Sequence, residues 1–259
     1  MCRLLGIIAN KPVDVEFSLE RFRRLAYENP DGWGIGWYED GEPRIFKQGI
    51  PAIAYESKLP SLSKEVRSKV IIAHVRKGTE GGPSEQNSHP FKYKNWIFAH
   101  NGSVDRNNLL SILVDKYKEK IEGETDSEVY FYWILQCIEE EGDIIKGIEK
   151  AVAEVVRKSY KGLNFLLSNG STLFAFRYSD PSLRARYTLY KLERKPSKHE
   201  PIEFLSKETI ALIRSKSLKG EKAVLICSEK LTKEKWTEIG FGNILIVRPD
   251  LSTEEVKIL

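Results

Sequence analysis

The 259-residue sequence predicts an α+β layered fold with two mainly antiparallel sheets. Three observations carry that prediction. Strand-like segments fill the first and last thirds of the chain, helix-like segments fill the middle, and Asp40-Gly41 and Asn169-Gly170 mark tight hairpin turns between neighbouring strands.

Residues 2–9 are apolar apart from Arg3 and read as the first strand. From Ser18 to Glu28, apolar residues recur at Leu19, Phe22, Leu25 and Ala26, the spacing of an amphipathic helix. "WGIGWYE" and "PRIFKQG" then form a hairpin through Asp40-Gly41. "KVIIAHVR" and "NWIFAH" are two further strands, separated by the polar, glycine-bearing loop "KGTEGGPSEQNSHPFKYK"; loops of that length in a compact domain are often functional. Three helices follow. The first covers about 107–120, the second starts at Thr125 with a Thr125–Glu128 capping box, and the third covers roughly 143–158. The chain then returns to strands: "LNFLLS" and "LFAFRYS" around Asn169-Gly170, then "YTLYKLE", "AVLICS" and "NILIVRP". The Lys-, Pro- and Ser-rich segment 193–222 reads as a surface excursion, since there is no convincing linker or internal repeat.

Composition narrows the function. Hydrophobic residues at 41% and charged residues at 30% are ordinary for a globular protein. The 41 basic and 37 acidic residues are interspersed, so no basic block points to nucleic acid. No segment approaches the ~18 apolar residues of a membrane span, and the run after Arg3 is too short for a secretory signal. Three cysteines, Cys2, Cys137 and Cys227, form no CxxC pair, which fits neither a disulfide framework nor a cysteine zinc site. A reducing cytoplasm is the expected location.

Position makes Cys2 distinctive. Removal of Met1 would put a thiol and a free α-amine on one residue, nucleophile and base together, with both groups titrating near working pH. A buried strand cysteine is the plainer alternative. Other segments also have two readings. Arg76, ending "AHVR", offers a planar fork for a carboxylate or a surface ion pair. Asn101-Gly102, in "FAHNG", is either a hairpin turn or a side-chain amide and backbone N–H arranged as an oxyanion hole. Asp126 either complements a helix dipole or holds an ammonium group. His74, His89 and His100 lie near these segments, but their spacing matches no usual metal motif, and satisfied core or supporting histidines are the simpler reading. Cys137 and Cys227 read as packing residues.

Taken together and in order, Cys2, "AHVRKGT", "NSHPF", "FAHNG" and "GETDSE" resemble the class II glutamine amidotransferase domain of the N-terminal nucleophile hydrolases. The resemblance extends through "NPDGWGIGWY", "LNFLLSNGSTLFAFR" and "SEKLTKEKW", so it implies a single domain over 2–259, closest to stand-alone members of the superfamily. It also implies a four-layer αββα sandwich. By resemblance, Cys2 is the nucleophile, and Asn101 and Gly102 form the oxyanion hole. Arg76 takes the substrate α-carboxylate, Asp126 its α-ammonium, and Thr79 lines the same pocket. The implied reaction is hydrolysis of a γ-glutamyl amide through a thioester, with no cofactor or metal. The synthase-linked members usually carry an aromatic residue after the Arg and a His or Gln after the Thr. This chain has Lys77 and Glu80 there. That departure favours simple hydrolysis of a small γ-glutamyl substrate, with two alternatives: a glutaminase subunit feeding ammonia to a separate protein partner, and a silent γ-glutamyl-binding module.

Overall fold

A computed structural model describes residues 1–13, 16–194 and 222–259. Seven strands form one antiparallel sheet in the order β11 (Thr237–Glu238), β9 (Tyr190–Arg194), β10 (Ala223–Cys227), β1 (Arg3–Val13), β4 (Ser68–Val75), β2 (Trp33–Glu39) and β3 (Glu42–Gln48). Six form the other, in the order β13 (Thr253–Lys257), β12 (Asn243–Val247), β8 (Leu173–Arg177), β7 (Tyr160–Ser168), β6 (Trp96–Val104) and β5 (Phe91–Tyr93).

Period-2 alternation along the strands builds the layers. Leu4 and Ile8 of β1, Val70 and Ile72 of β4, Ile97 and Ala99 of β6, and Leu166 of β7 share one buried cluster between the sheets. The alternate residues Leu5 and Ile7, with Ile71, Ala73 and Val75, pack outward with Leu19 and Phe22 of α1 (Glu16–Arg24) and Leu59 of α2 (Leu59–Glu65). Phe98, Leu163, Phe165 and Leu167 pack outward instead, against α3 (Arg106–Ile112), α4 (Asp115–Lys118), α5 (Asp126–Glu141) and α6 (Ile144–Val155). The result is a four-layer αββα sandwich with three apolar layers. Each fully buried aliphatic or aromatic side chain in them contributes about 1.5–3 kcal/mol.

The predicted helix over 107–120 is two helices. Leu113 and Val114 adopt extended backbone (ψ 135° and 153°), and the freed N–H of Val114 donates to Gln136 Oε1 at 2.9 Å. Thr125 caps α5 by accepting from Glu128 N–H at 3.3 Å. Glu128 does not complete the predicted box, because its carboxylate accepts instead from Glu122 N–H (3.1 Å) and Gly123 N–H (2.7 Å). The expected strand from Tyr187 begins only at Tyr190, and α2, β5, β11 and β13 had no sequence counterpart. Most of the expected excursion at 193–222 lies outside the described residues. Among the described residues no helix is long and apolar enough to cross a membrane.

The long loop after β4 lies against β2 and β3. An added Cβ at Gly34 would meet His89 O at 2.2 Å, so a glycine lets the loop's backbone pass directly over the sheet.

Candidate active site

Pairing of β1 with β4 sets Arg3 opposite Val75 and Leu4 opposite His74, so the start of β1 lies beside the end of β4. Cys2 thus reaches the residues that follow β4. Lys77 N–H donates to Cys2 Sγ at 3.3 Å, and the thiol can return a bond to Lys77 O at 3.4 Å. The segment is pinned elsewhere. Arg3 pairs with Glu229 and donates to the carbonyls of Met1 (2.9 Å) and Cys2 (3.1 Å), while Leu4 N–H donates to Ser228 Oγ at 3.0 Å. Burial pushes the Cys2 thiol up. The Lys77 N–H, the N-terminal ammonium and the Arg76 guanidinium oppose that shift, and the Asp126 carboxylate adds to it. The N-terminal amine is itself lowered, chiefly by burial. That amine belongs to Met1; the α-nitrogen of Cys2 is here part of the Met1–Cys2 peptide bond.

Arg76 is 2% exposed, and among the described residues no ion pair to it is seen. Its Nη1 donates to Asp31 O (3.4 Å) and Gly82 O (3.3 Å), and its Nη2 to Glu80 O (2.6 Å) and Gly81 O (3.0 Å). A carboxylate can therefore pair with both terminal nitrogens only by displacing loop carbonyls. Asp31, missed in the sequence reading, ties the same loop down, since its Oδ2 accepts from Gly78 N–H at 2.8 Å. Only its place in "NPDGWG" signalled it. Thr79 sits exposed at the loop rim.

Asn101 and Gly102 lie within β6, paired with Asn164 and Leu163 of β7, so the hairpin reading of Asn-Gly does not hold here. Asn101 continues the inward alternation of Ile97 and Ala99 and is 3% exposed. Its neighbour Asn164 is committed, accepting from Tyr178 N–H (3.0 Å) and donating to Thr188 O (3.3 Å). Gly102 has no room for a side chain: an added Cβ would lie 1.7 Å from Gly162 O and 2.6 Å from His100 Nε2.

His100 braces this corner. A carbonyl only accepts, so the 3.1 Å contact to Gly162 O makes Nε2 the protonated nitrogen. Nδ1 of the neutral ring then accepts from Ser127 Oγ at 2.9 Å. Ser127 also stands 3.3 Å from Asp126 Oδ1, and Asp126 Oδ2 accepts from Val104 N–H at 2.8 Å. Burial lowers His100, with the Asp126 charge opposing. His74, pushed down to about 3 by burial, donates through Nε2 to His100 O at 3.1 Å and stacks on His89 with centroids 4.1 Å apart. The three histidines are supporting groups in the sandwich. Among the described residues no cluster of His, Cys, Asp and Glu is gathered as a metal cage would be.

Tyr187 also escaped the sequence reading, which placed it in a strand. It is 6% exposed and packs its ring on Gly162; burial raises its phenol, and the charges of Cys2 and Asp126 raise it further. Cys2 thus lies within electrostatic reach of Arg76, Asp126 and Tyr187, and Gly162 joins Tyr187 to Gly102. Cys137 and Cys227 are buried in the outer apolar layers.

The four-layer αββα sandwich is the fold the sequence resemblance implied, and Cys2 stands at the head of a central strand of one sheet. Residues 1–256 match the family of class II glutamine amidotransferases, and the chain belongs to that family. It is 34% identical over 257 residues to an uncharacterized protein of Methanocaldococcus jannaschii, covering 96% of this chain and 69% of that one. It is 27% identical over 187 residues to the glutamine–fructose-6-phosphate aminotransferase of Helicobacter pylori, covering 70% of this chain and 30% of that larger protein. Its fold is similar to that of a class II glutamine aminotransferase domain protein from Silicibacter pomeroyi, with a TM-score of 0.68, 23% identity and full coverage of both chains.

Proposed function

We propose that the chain hydrolyses the γ-glutamyl amide bond of glutamine or of a γ-glutamyl compound through a thioester on Cys2. The observation that carries this reading is the contact of Cys2 Sγ with Lys77 N–H at 3.3 Å, with the Arg76 and Asp126 charges acting on the same thiol. A γ-glutamyl group has a zwitterion at one end and the scissile carbonyl at the other. Arg76 holds its α-carboxylate, with Thr79 at the rim, and Asp126 holds its α-ammonium, fixing the carbonyl over the thiol.

The α-amine of Cys2, freed by removal of Met1, takes the thiol proton as sulfur attacks the γ-carbonyl. The oxyanion accepts hydrogen bonds from the Asn101 side-chain amide and Gly102 N–H. The C–N bond breaks and the amine leaves with the proton held on the α-ammonium. Water, deprotonated by the same amine, then cleaves the thioester to release glutamate.

The test pairs intact mass with glutamate release on one sample. Protein lacking Met1 is expected to release glutamate from glutamine and to accumulate a γ-glutamyl adduct on Cys2; Cys2→Ala is expected to do neither. Full activity with Met1 quantitatively retained overturns the N-terminal amine mechanism.

A second reading rests on the Helicobacter pylori relative, in which the matched region is under a third of a named aminotransferase. There the present chain would be a glutaminase passing ammonia to a separate synthase. Turnover only on addition of a second protein would favour it. Lys77, exposed where synthase-linked members place an aromatic residue, supports hydrolysis without a partner.

A further inference from the structure

The side-chain amide of Asn87 lies between two loops of the candidate site, and the residue is 3% exposed. Its Oδ1 accepts from Glu124 N–H at 2.8 Å, while its Nδ2 donates to Gly82 O at 3.0 Å and to Glu124 Oε2 at 3.2 Å. A backbone N–H only donates and a carbonyl only accepts, so the orientation of the amide is fixed. The backbone crowds it on both sides. An added Cβ at Gly81 would meet Nδ2 at 2.6 Å, and one at Gly123 would meet Oδ1 at 2.8 Å. Asn87 N–H donates in turn to Ser84 Oγ at 3.1 Å, which fixes the residue to its own loop.

The two loops carry the two charged groups of the proposed site. Gly82 O also accepts from Arg76 Nη1 at 3.3 Å, so one carbonyl ties Asn87 to that guanidinium. Glu124, 37 residues further along the chain, leads directly into Thr125, the N-cap of α5, and Asp126, its first residue. Asn87 therefore joins the Arg76 loop to the start of the Asp126 helix. The bonds that Nη1 makes, to Gly82 O and to Asp31 O at 3.4 Å, are longer than those of Nη2 at 2.6 and 3.0 Å. Nη1 is thus the nitrogen that releases loop carbonyls at least cost when a carboxylate arrives. When it does, Gly82 O keeps its bond to Asn87 and the loop keeps its anchor.

We infer that Asn87 is a positioning residue of this site: it holds the Arg76 loop in place relative to Asp126 while the guanidinium turns from loop carbonyl to substrate, and so sets how strongly a free α-carboxylate is selected. This rests on the proposed γ-glutamyl reading and names a specificity determinant of that same site. The hydrogen bonds of Asn87 go to Ser84, Gly82 and Glu124 and leave Cys2 aside. Its loss therefore acts on ligand recognition and not on the reactivity of the thiol.

The test is alkylation of Cys2 by iodoacetamide, followed by intact mass, in the presence of L-glutamate or of 4-aminobutyrate, which is glutamate without its α-carboxylate. It needs no turnover, and Cys137 and Cys227 are buried away from the reagent. Glutamate is expected to protect the wild-type thiol at least tenfold better than 4-aminobutyrate. Asn87→Ala is expected to bring that ratio within threefold of unity, with the unprotected alkylation rate and the 4-aminobutyrate protection constant each moving less than twofold. Asn87→Asp keeps the acceptor for Glu124 N–H and loses the donor to Gly82 O; it is expected to lower the ratio likewise, and it carries the test if the alanine variant does not fold. Glu124→Ala leaves the bond to Gly82 O in place and is expected to leave the ratio unchanged. A tenfold ratio that survives in a folded Asn87 variant, or an equal loss of protection by both ligands, overturns the positioning role. Failure of glutamate to protect the wild-type thiol overturns the γ-glutamyl reading itself, and the inference with it.

Discussion

Gly102→Ala tests the backbone geometry of the candidate oxyanion hole. An alanine Cβ would stand 1.7 Å from Gly162 O, 2.3 Å from Gly162 C and 2.6 Å from His100 Nε2. Real Cβ contacts essentially never fall below 3.0 Å, so β6 and β7 must separate by about 1.3 Å at this point, the difference between 3.0 and 1.7 Å. Neither strand has slack. Gly162 is itself packed so closely on the Tyr187 ring that its own Cβ would lie 2.1 Å from the ring's Cε1, and its carbonyl is held by His100 at 3.1 Å. Overpacking of this kind costs ~1–3 kcal/mol, and loss of the His100–Gly162 hydrogen bond adds about 1 kcal/mol. A total of about 2–4 kcal/mol lowers Tm by roughly 5–15 °C in a chain of this size. Displacing an oxyanion donor lowers kcat by about 10²-fold or more. The assays are thermal unfolding and glutamate release below the lowered Tm. Gly82→Ala is the control, because an added Cβ there meets nothing within 4 Å. A Gly102→Ala protein melting within 2 °C of its parent would refute the packing argument. Normal kcat in a destabilised protein would remove Gly102 from the proposed oxyanion hole.

Arg76→Lys replaces a fork that satisfies four loop carbonyls with a single ammonium, so it is expected to loosen the loop at 78–82 and to cost about 1.5–3 kcal/mol in transition-state binding, read as kcat/KM; unchanged kcat/KM in a folded variant returns Arg76 to a purely structural role. His74, His89 and His100 are all held below the ordinary imidazole range by burial, so the unfolded chain takes up their protons first as pH falls below about 6.5. Stability is full above that pH and declines by about 1.4 kcal/mol per pH unit for each histidine, continuing for His74 to about pH 3; urea midpoints at pH 7.5 and 5.5 that coincide would contradict three buried neutral rings.

Much of this molecule is legible in its sequence, because strand alternation, hairpin dipeptides and helix caps are local signals. The Asp40-Gly41 hairpin, the β7–β8 turn at Asn169-Gly170 and the Thr125 cap all appear where local chemistry places them. Other elements depend on partners distant in the chain. The helix break at Leu113–Val114 is stabilised by Gln136, and β13 exists because β12 offers it an edge.

The site divides in the same way. The sequence determined which residues are candidates for chemistry: a thiol directly after Met1, an Arg at a strand end, an Asp in a helix's first turn. It could not decide between the two meanings of Asn101-Gly102. A turn and a strand use the same dipeptide, and the close approach of Gly162 that makes Gly102 necessary belongs to another strand. Tertiary structure alone assigned Arg76 its four acceptors, brought Asp31 and Tyr187 to the site, and set His100 between Gly162 and Ser127. The physical reason is that backbone carbonyls and ring faces act through position. Every residue has a carbonyl, so its identity says nothing about which guanidinium it will meet.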